Sequence, residues 1–273
     1  MKELLSVAPM MDWTTPHFRK LLRIVSKETV LYTEMVVDDS VIHNTEALED
    51  RIGLPEIESG GPAVIQLGGS NPESIAKASE ILNDYGILSN HYQELNLNCG
   101  CPSTKVQKNC FGAKLMLDPP LVREIVYNMQ RRVSCPVTVK CRLGVTGHRD
   151  TYENLVEFIT EAHAGGAKKF IIHCRDCVLE GFTTKQNREI PPLRYNEIKR
   201  LRETFPDLEF VLNGGVKSLE EVKHHLYQDD ESAAPHGVMI GRAIMNNPLL
   251  LCNADTDIFG CKSNPGLSRR EII

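Results

Sequence analysis

The chain has 273 residues, a formal net charge of −5, and 41% hydrophobic and 25% charged residues. This composition is typical of a folded globular protein and excludes a disordered or fibrous chain. The length suffices for one (β/α)-barrel domain with a large core. Because the charge balance is acidic, a polyanionic partner would have to be met by a local basic patch rather than by an overall positive field.

Cysteine usage and the N-terminus indicate the compartment. Nine cysteines, an odd number, are scattered along the chain, a pattern that favours reduced thiols in the cytoplasm. No segment approaches the roughly 18 apolar residues of a membrane span. Residues 1–9 resemble neither a signal peptide nor a transit peptide. We therefore expect a cytoplasmic protein with no membrane partner, and we expect it to act as a monomer.

Short runs of Val, Ile and Leu alternate with stretches of helical period, a pattern typical of parallel βαβ units. Strands are predicted at residues 4–8, 30–33, 63–67, 94–97, 137–141, 170–173, 210–213 and 237–240. Helices are predicted at residues 17–26, 39–44, 72–85, 120–133, 151–164, 196–204 and 218–226, with a short last helix after Gly241. Asn71-Pro72-Glu73 and Ser218-Leu219-Glu220-Glu221 are helix-start signals. Eight evenly spaced strands without a GxGxxG after the first predict an α/β fold, a (β/α)8 TIM barrel with a closed parallel sheet.

Two segments depart from this regular alternation. Residues 176–193 form a long polar stretch after the sixth strand, and connections of that length in a compact domain are usually functional or mobile. Residues 252–273 lose periodicity until Ser268-Arg269-Arg270-Glu271, which has the pattern of a helix cap with no helix after it.

In a (β/α)8 barrel the active site lies at the carboxyl ends of the strands. The residues that leave the predicted strands are mostly polar or glycine. They are Pro9, Met10, Met11, Glu34, Met35, Gln66, Asn98, Cys101, Lys140, Arg142, His173, Arg175, Asn213, Gly214, Gly215, Gly241 and Arg242. Polar loops would meet water in any barrel, but this combination of side chains in one ring predicts a functional site.

Cys101 is the candidate catalytic residue. It lies directly before Pro102, which biases it towards an extended, stiff backbone. A thiol with a reference pKa near ~8.5 is mostly protonated at neutral pH, so it can donate a proton as well as attack. The alternative is a buried structural cysteine, but the polar, Gly- and Pro-bounded setting favours acid–base chemistry.

The last two strand ends predict a phosphate site. Asn213-Gly214-Gly215 and Gly241-Arg242 would bring free backbone N–H groups and a helix N-terminus together, as in the seventh and eighth loops of many barrels. A cofactor with one phosphate, such as flavin mononucleotide (FMN), fits such a site. Each glycine turn alone is weak evidence.

Other members of the ring suit the same cofactor. Lys140 would stabilise an anionic reduced flavin or an oxyanion, and Gln66 offers both a donor and an acceptor to a flavin or base edge. His173 is either a ligand or a satisfied core histidine. Met10 and Met11 would pack on a flavin face, although core packing is the default role of methionine.

Two cysteine-containing motifs could be interpreted as metal-binding sites. Cys99-Gly100-Cys101 and His173-Cys174-Arg175-Asp176-Cys177 belong to different strands with mismatched gaps, unlike the paired ligand spacings of zinc sites. We expect no metal.

These residues resemble a known family, the flavin-dependent tRNA-dihydrouridine synthases. The resemblance extends from Leu5 to about Gly260 and rests on six segments, residues 8–14, 66–70, 97–103, 137–144, 171–175 and 213–216. Residues 187–193, Asn-Arg-Glu-Ile-Pro-Pro-Leu, resemble the A-type branch, which acts on D-loop uridines around tRNA position 20.

The resemblance implies a TIM barrel that binds FMN, with NADPH as the reductant and tRNA as the partner. A hydride would pass from flavin N5 to uracil C6, and Cys101 would protonate C5. The residues implied to contact the flavin are Pro9, Met10, Met11, Gln66, Lys140, His173, Asn213, Gly214, Gly215, Gly241 and Arg242. Asn98 and Arg142 match residues that hold the flipped uracil. Basic residues of the rim would contact phosphates; these are Lys105, Lys108, Arg149, Arg175, Lys185 and Arg188.

The resemblance also divides the chain. Residues 1–260 correspond to the catalytic barrel, and residues 261–273 to the truncated start of the helical tRNA-binding region that usually follows it. Three alternatives remain open: an FMN barrel oxidoreductase acting on a free pyrimidine or enone, a non-catalytic tRNA-binding factor, and a barrel that binds phosphate sugars instead of flavin.

Overall fold

A computed structural model describes residues 3–45, 48–53, 60–84, 92–103, 110–228, 234–266 and 270. Eight parallel strands pair in sequence order and close into a barrel, with the last strand beside the first, so the predicted TIM barrel is confirmed. The strands are β1 (Leu5–Val7), β2 (Val30–Val37), β3 (Ala63–Gly68), β4 (Glu94–Cys99), β5 (Val137–Arg142), β6 (Lys169–His173), β7 (Glu209–Asn213) and β8 (Gly237–Ile240).

Helices follow the strands. They are α1 (Pro16–Val25), α2 (Asp38–His43), α3 (Leu48–Ile52), α4 (Pro72–Asp84), α5 (Pro119–Gln130), α6 (Tyr152–Ala164), α7 (Asn196–Thr204), α8 (Leu219–Leu226), α9 (Arg242–Asn246) and α10 (Ala254–Asp257). The sequence analysis did not predict α3, α10 or the 3-10 turn Gly112–Leu117. No described helix is long and apolar enough to cross a membrane.

The predicted helix starts are confirmed by their hydrogen bonds. The Asn71 side-chain oxygen accepts from the backbone N–H groups of Glu73 and Ser74, each at 2.9 Å. Ser218 Oγ accepts from the Glu221 N–H at 3.2 Å. Each cap satisfies N–H groups that a helix leaves unpaired in its first turn. The cap predicted at residues 268–271 lies, apart from Arg270, outside the described residues.

Apolar side chains fill two layers. The larger cluster lies between the barrel and its helices. A smaller cluster, which includes Tyr32, Val64, Ile171, Val211 and Met239, packs inside the barrel. Because successive side chains of a strand alternate between faces, strand residues whose side chains do not pack against the helices project into the interior.

Strand β2 is longer than the predicted 30–33, because its pairing with β3 shifts register between Tyr32 and Met35. This bulge adds a residue without ending the strand. Thr33 stabilises it, since the Thr33 hydroxyl donates to Glu34 O at 2.7 Å and accepts from the Gln66 N–H at 3.1 Å. Glu34, expected at the strand end, consequently lies within β2, and Met35 pairs with Gln66.

Candidate active site

Ladder pairing places the polar strand ends next to one another. Asn98 of β4 pairs with Lys140 of β5. Arg142 pairs with His173 of β6, which in turn pairs with Asn213 of β7. The side chains at these positions therefore form a continuous arc at the carboxyl end of the barrel, as the sequence predicted.

Asn98 holds the loop of residues 100–103, called the thiol loop because it carries Cys101. Its side-chain oxygen accepts from the backbone N–H groups of Gly100 at 3.2 Å and Cys101 at 3.0 Å. The Cys101 carbonyl accepts from the Ala113 N–H at 3.0 Å. This turn fixes the backbone of a part-buried cysteine, which matches the predicted stiff loop.

The electrostatics of Cys101 keep it protonated. Burial raises the pKa of the Cys101 thiol, although the Ser103 N–H and the positive charges of Arg142, Lys140 and Arg188 act in the opposite direction. The net effect is a neutral thiol at pH 7, which is an acid rather than a nucleophile.

Lys140 projects towards the same space. Its Nζ donates to Asn213 Oδ1 at 3.0 Å, and the Asn213 Nδ2 donates to Met239 O at 2.9 Å. Burial, followed by the Arg142 charge, lowers the pKa of Lys140 to about 8. Among the described residues no carboxylate lies within 4.0 Å of this ammonium group, so its charge has no counterion.

Arg142 is buried, with 3% of its surface exposed, and it anchors two loops. Its Nε donates to Gly100 O at 3.0 Å, and its Nη1 donates to Asp176 O at 2.9 Å and Asn187 O at 3.0 Å. The second terminal nitrogen, Nη2, has no acceptor within the described part of the chain. Arg142 thus joins the thiol loop to the long segment after β6 and keeps one nitrogen available.

The long segment after β6 packs on the barrel. Asn187, fully buried, donates from Nδ2 to Val178 O at 2.9 Å and accepts on Oδ1 from Val178 N at 2.8 Å. Arg194 pairs with Asp176 at 2.8 Å. These contacts place residues 176–193 against the arc.

His173 has an unsatisfied nitrogen. Nδ1 is buried and has no hydrogen-bond partner among the described residues. Burial and the charges of Arg142 and Lys140 lower the pKa of His173 well below its usual value, so the ring is neutral at pH 7. A buried unpaired nitrogen costs free energy unless a partner satisfies it, so Nδ1 is free to hydrogen-bond to a group from outside the described residues.

The glycine turn after β7 has no side chains that would keep another group away from its backbone. Gly214 and Gly215 have φ of 112° and 82°, which side chains rarely adopt. A Cβ on Gly215 would lie 2.6 Å from the Tyr195 hydroxyl, which donates to Gly214 O at 2.7 Å. Within the described residues nothing accepts from the N–H groups of Gly214 and Gly215, so both donors are available to an anion.

The β1 end and the β8 end adjoin each other. Met10 O accepts from the backbone N–H groups of Trp13 and Thr14 at 3.1 and 2.9 Å, which forms a tight turn after Pro9. Met10 Sδ lies 3.8 Å from where a Cβ on Gly241 would stand. Pro9 and Met10 are half-buried, whereas Met11 is 54% exposed and therefore lies at the outer edge.

Only some of the basic residues expected at the rim lie near one another. Arg242 Nη1 pairs with Glu189 at 2.8 Å and its Nη2 donates to Arg188 O at 3.1 Å. Arg175 donates to the Pro191 carbonyl, and Lys185 is exposed. Arg149 instead pairs with Glu157 of α6, and Lys105 and Lys108 lie outside the described residues.

Polar side chains also occupy the barrel interior below the arc. Gln66 is hydrogen-bonded to both Asn96 and Asn98, and Asn96 to Thr138. Asn96 and Thr138 were missed by the sequence analysis. The signal was present, because Asn96 and Asn98 alternate with leucines in Leu95-Asn96-Leu97-Asn98, so both face the interior of the barrel.

Comparison with known proteins decides the family. The model described as dihydrouridine synthase matches residues 6–271. The chain belongs to the dihydrouridine synthase family. Similar curated proteins are each named tRNA-dihydrouridine(20/20a) synthase: 45% identical over 98% of this chain and 75% of the relative in Pseudomonas putida, 45% over 98% and 77% in Vibrio parahaemolyticus, and 43% over 98% and 75% in Synechocystis. The protein is thus an enzyme of a flavin-dependent oxidoreductase family.

A solved structure supports the fold alone. A 2-naphthoyl-CoA reductase complex superposes with a TM-score of 0.67, covering 92% of this chain and 49% of that one, at 10% sequence identity. Within the described residues of this dihydrouridine synthase family member, no cluster of three or more His, Cys, Asp or Glu side chains could hold a metal ion.

Proposed function

We propose that this enzyme reduces uridines in the D-loop of tRNA, at positions 20 and 20a, to 5,6-dihydrouridine, with FMN as cofactor and NADPH as reductant. The relatives' names support the substrate. The observation that carries the proposal is the juxtaposition of a neutral thiol, Cys101, with Lys140 and His173. Among the residues that the structure describes, Lys140 has no carboxylate partner and His173 has an unsatisfied nitrogen.

The residues of the arc fit FMN. A phosphate needs N–H donors and positive charge, and the turn at Gly214 and Gly215 with His173 and Arg242 would offer both. Lys140 and Gln66 would contact the ring. The other proposed contacts are Pro9, Met10, Met11, Asn213 and Gly241.

The protein supplies proton, orientation and exclusion of water. FMN, when bound, supplies a hydride to uracil C6. Cys101 Sγ donates its proton to C5, which completes reduction of the C5–C6 double bond. We assign uracil binding to Arg142 through Nη2 and to Asn98 through the Nδ2 hydrogen that Gln66 does not use.

The uridine must leave its stack to enter this pocket. Phosphates of the surrounding loop would meet Arg175, Lys185 and Arg188 on the rim, which offsets the acidic overall charge. We propose that the enzyme works as a cytoplasmic monomer, with residues 1–260 as its catalytic barrel.

The deciding experiment is Cys101→Ala, with Cys252→Ala as the matched control because Cys252 is also part-buried. Dihydrouridine formation on tRNA should fall about 10²–10⁴-fold in Cys101→Ala, while the visible flavin absorption persists. Cys252→Ala should keep both.

Three results would contradict the proposal. Full activity of Cys101→Ala would refute the acid assignment. Turnover of free uracil without activity on tRNA would favour the free-pyrimidine oxidoreductase. Equal tRNA binding with and without flavin, together with no dihydrouridine formed, would favour a non-catalytic tRNA-binding factor.

A further inference from the structure

A chain of side-chain hydrogen bonds crosses three strands inside the barrel. Asn98 Nδ2 donates to Gln66 Oε1 at 2.7 Å, Gln66 Nε2 donates to Asn96 Oδ1 at 2.8 Å, and Asn96 Nδ2 donates to Thr138 Oγ1 at 2.9 Å. Asn96 is fully buried, and Gln66 and Thr138 are each 1% exposed. No solvent competes for these bonds, so each link depends on the next.

The orientation of each amide in this chain of hydrogen bonds is fixed from the Asn98 end. The backbone N–H groups of Gly100 and Cys101 are donors and nothing else, so the Asn98 group that faces them must be the oxygen. The Asn98 nitrogen then faces Gln66, whose facing atom must be the oxygen Oε1. The polarity of two amides thus follows from backbone chemistry.

The same reasoning continues to the lower end. With Oε1 directed to Asn98, the Gln66 nitrogen faces Asn96, which must present its oxygen. The Asn96 nitrogen then needs an acceptor, and the Thr138 hydroxyl provides it. Without that hydroxyl the Asn96 Nδ2 group would be buried with no acceptor, and a turned-over Asn96 amide would no longer offer its oxygen to Gln66 Nε2.

We propose that Asn96 and Thr138 are positioning residues that fix the orientation of the Gln66 amide and, through Asn98, the backbone of the Cys101 loop. The inference rests on the proposed function, because that function assigns Gln66 to the flavin and Cys101 to proton donation. One chain of bonds then sets the cofactor contact and the acid relative to each other.

The test compares Thr138→Val with Thr138→Ser in the purified holoenzyme. Thr29→Val is the matched control, since Thr29 is also a fully buried threonine, hydrogen-bonded to Ser26 Oγ at 2.7 Å and outside the chain of amides. Three quantities are measured: kcat and KM on tRNA, the visible spectrum of the bound flavin, and the rate of Cys101 alkylation by iodoacetamide, followed by peptide mass spectrometry.

We expect Thr138→Val to lower kcat on the order of tenfold, with KM for tRNA within about twofold. Cys101 alkylation should accelerate at least about threefold and the flavin spectrum should shift, because the loop and Gln66 lose their fixed positions. Thr138→Ser should restore all three. Asn96→Ala, which removes the acceptor of Gln66, is a second variant with the same expected direction should Thr138→Val fail to fold.

Identical behaviour of Thr138→Val and Thr29→Val in all three quantities would overturn the inference, as would a failure of Thr138→Ser to restore them. The alkylation rate needs neither flavin nor tRNA. If the wild-type enzyme proved inactive on tRNA, the proposed function would fail, and the alkylation comparison would still decide on the chain of amides.

Discussion

The two ends of the barrel differ in whether a buried lysine has carboxylate partners. At the amino end Lys169 Nζ contacts Glu3 at 2.8 Å and also Glu94, and the Tyr32 hydroxyl donates to both Glu3 carboxylate oxygens at 3.3 Å. At the carboxyl end Lys140 reaches, within the described residues, only the side-chain oxygen of Asn213. The Lys169 charge is neutralised within the protein, whereas the Lys140 charge has no carboxylate partner in the described part of the chain.

The two lysines show the consequence directly. Burial lowers the pKa of each, but at Lys169 the charges of Glu3 and Glu94 outweigh burial and raise the pKa above its ordinary value. At Lys140 burial prevails, and the pKa falls to about 8. A buried cation without a counterion is unfavourable for the empty protein and favourable for an anion that binds there. We therefore propose that the amino end serves stability and the carboxyl end serves ligand binding.

We expect Lys169→Met to destabilise the protein most, because it removes the cation of the amino-end cluster. The substitution leaves Glu3 and Glu94 buried without their cation, and we expect a loss of about 3–5 kcal/mol in the free energy of unfolding, measured with urea. Replacing the whole set, Glu3→Gln with Glu94→Gln and Lys169→Met, should restore most of it. A loss below about 1 kcal/mol for Lys169→Met would show that the amino end is not a structural ion cluster.

Much of the carboxyl end of the barrel could be predicted from the sequence. Strand periodicity and the residues after each strand locate the arc at Asn98, Lys140 and His173, with Gln66 below it. The network beneath the arc could not be predicted. Whether Asn96 bonds to Gln66 depends on the register between β3 and β4, which alternation alone leaves undetermined.

The contacts of the long segment after β6 could not be predicted for a related reason. Its polarity predicts a loop but not that Asn187 would turn inward to bond Val178 and present its carbonyl to Arg142. Tertiary hydrogen bonds of this kind have no local signature. The bulge of β2 at Thr33 and Glu34 likewise depends on the neighbouring strand, because the bond that satisfies it comes from Gln66.

The pH dependence of stability distinguishes Lys140 from Lys169. An unfolded lysine titrates near ~10.4, whereas Lys140 in the folded protein titrates at about 8. Between these values the unfolded chain binds more protons, so this group makes the flavin-free protein more stable as pH rises, by up to about 1.4 kcal/mol per pH unit. Lys169, with a raised pKa, contributes no such change below pH ~10.

The measurement is urea unfolding of the flavin-free protein at several pH values between about 7.5 and 9.5, compared with Lys140→Met. Buried thiols such as Cys141, whose pKa burial raises to about 12, favour the folded state less as pH rises above about 9, so the informative quantity is the difference between the two proteins. The free energy of unfolding of the wild type should rise with pH relative to that of Lys140→Met. Parallel curves would mean that Lys140 has a counterion.

The smallest effect concerns the rim, where charge meets solvent. Lys185 is exposed at the start of the 3-10 turn Gln186–Arg188. We expect Lys185→Gln to weaken tRNA binding about threefold at ~0.1 M salt. Because one phosphate contact releases about one counterion, the slope of log K against log salt should fall by about 0.7–0.9. Lys20→Gln, an exposed lysine of α1, is the control and should leave the slope unchanged. Equal slopes for Lys185→Gln and wild type would show that no tRNA phosphate contacts Lys185, and the assignment of this rim residue to tRNA would fail.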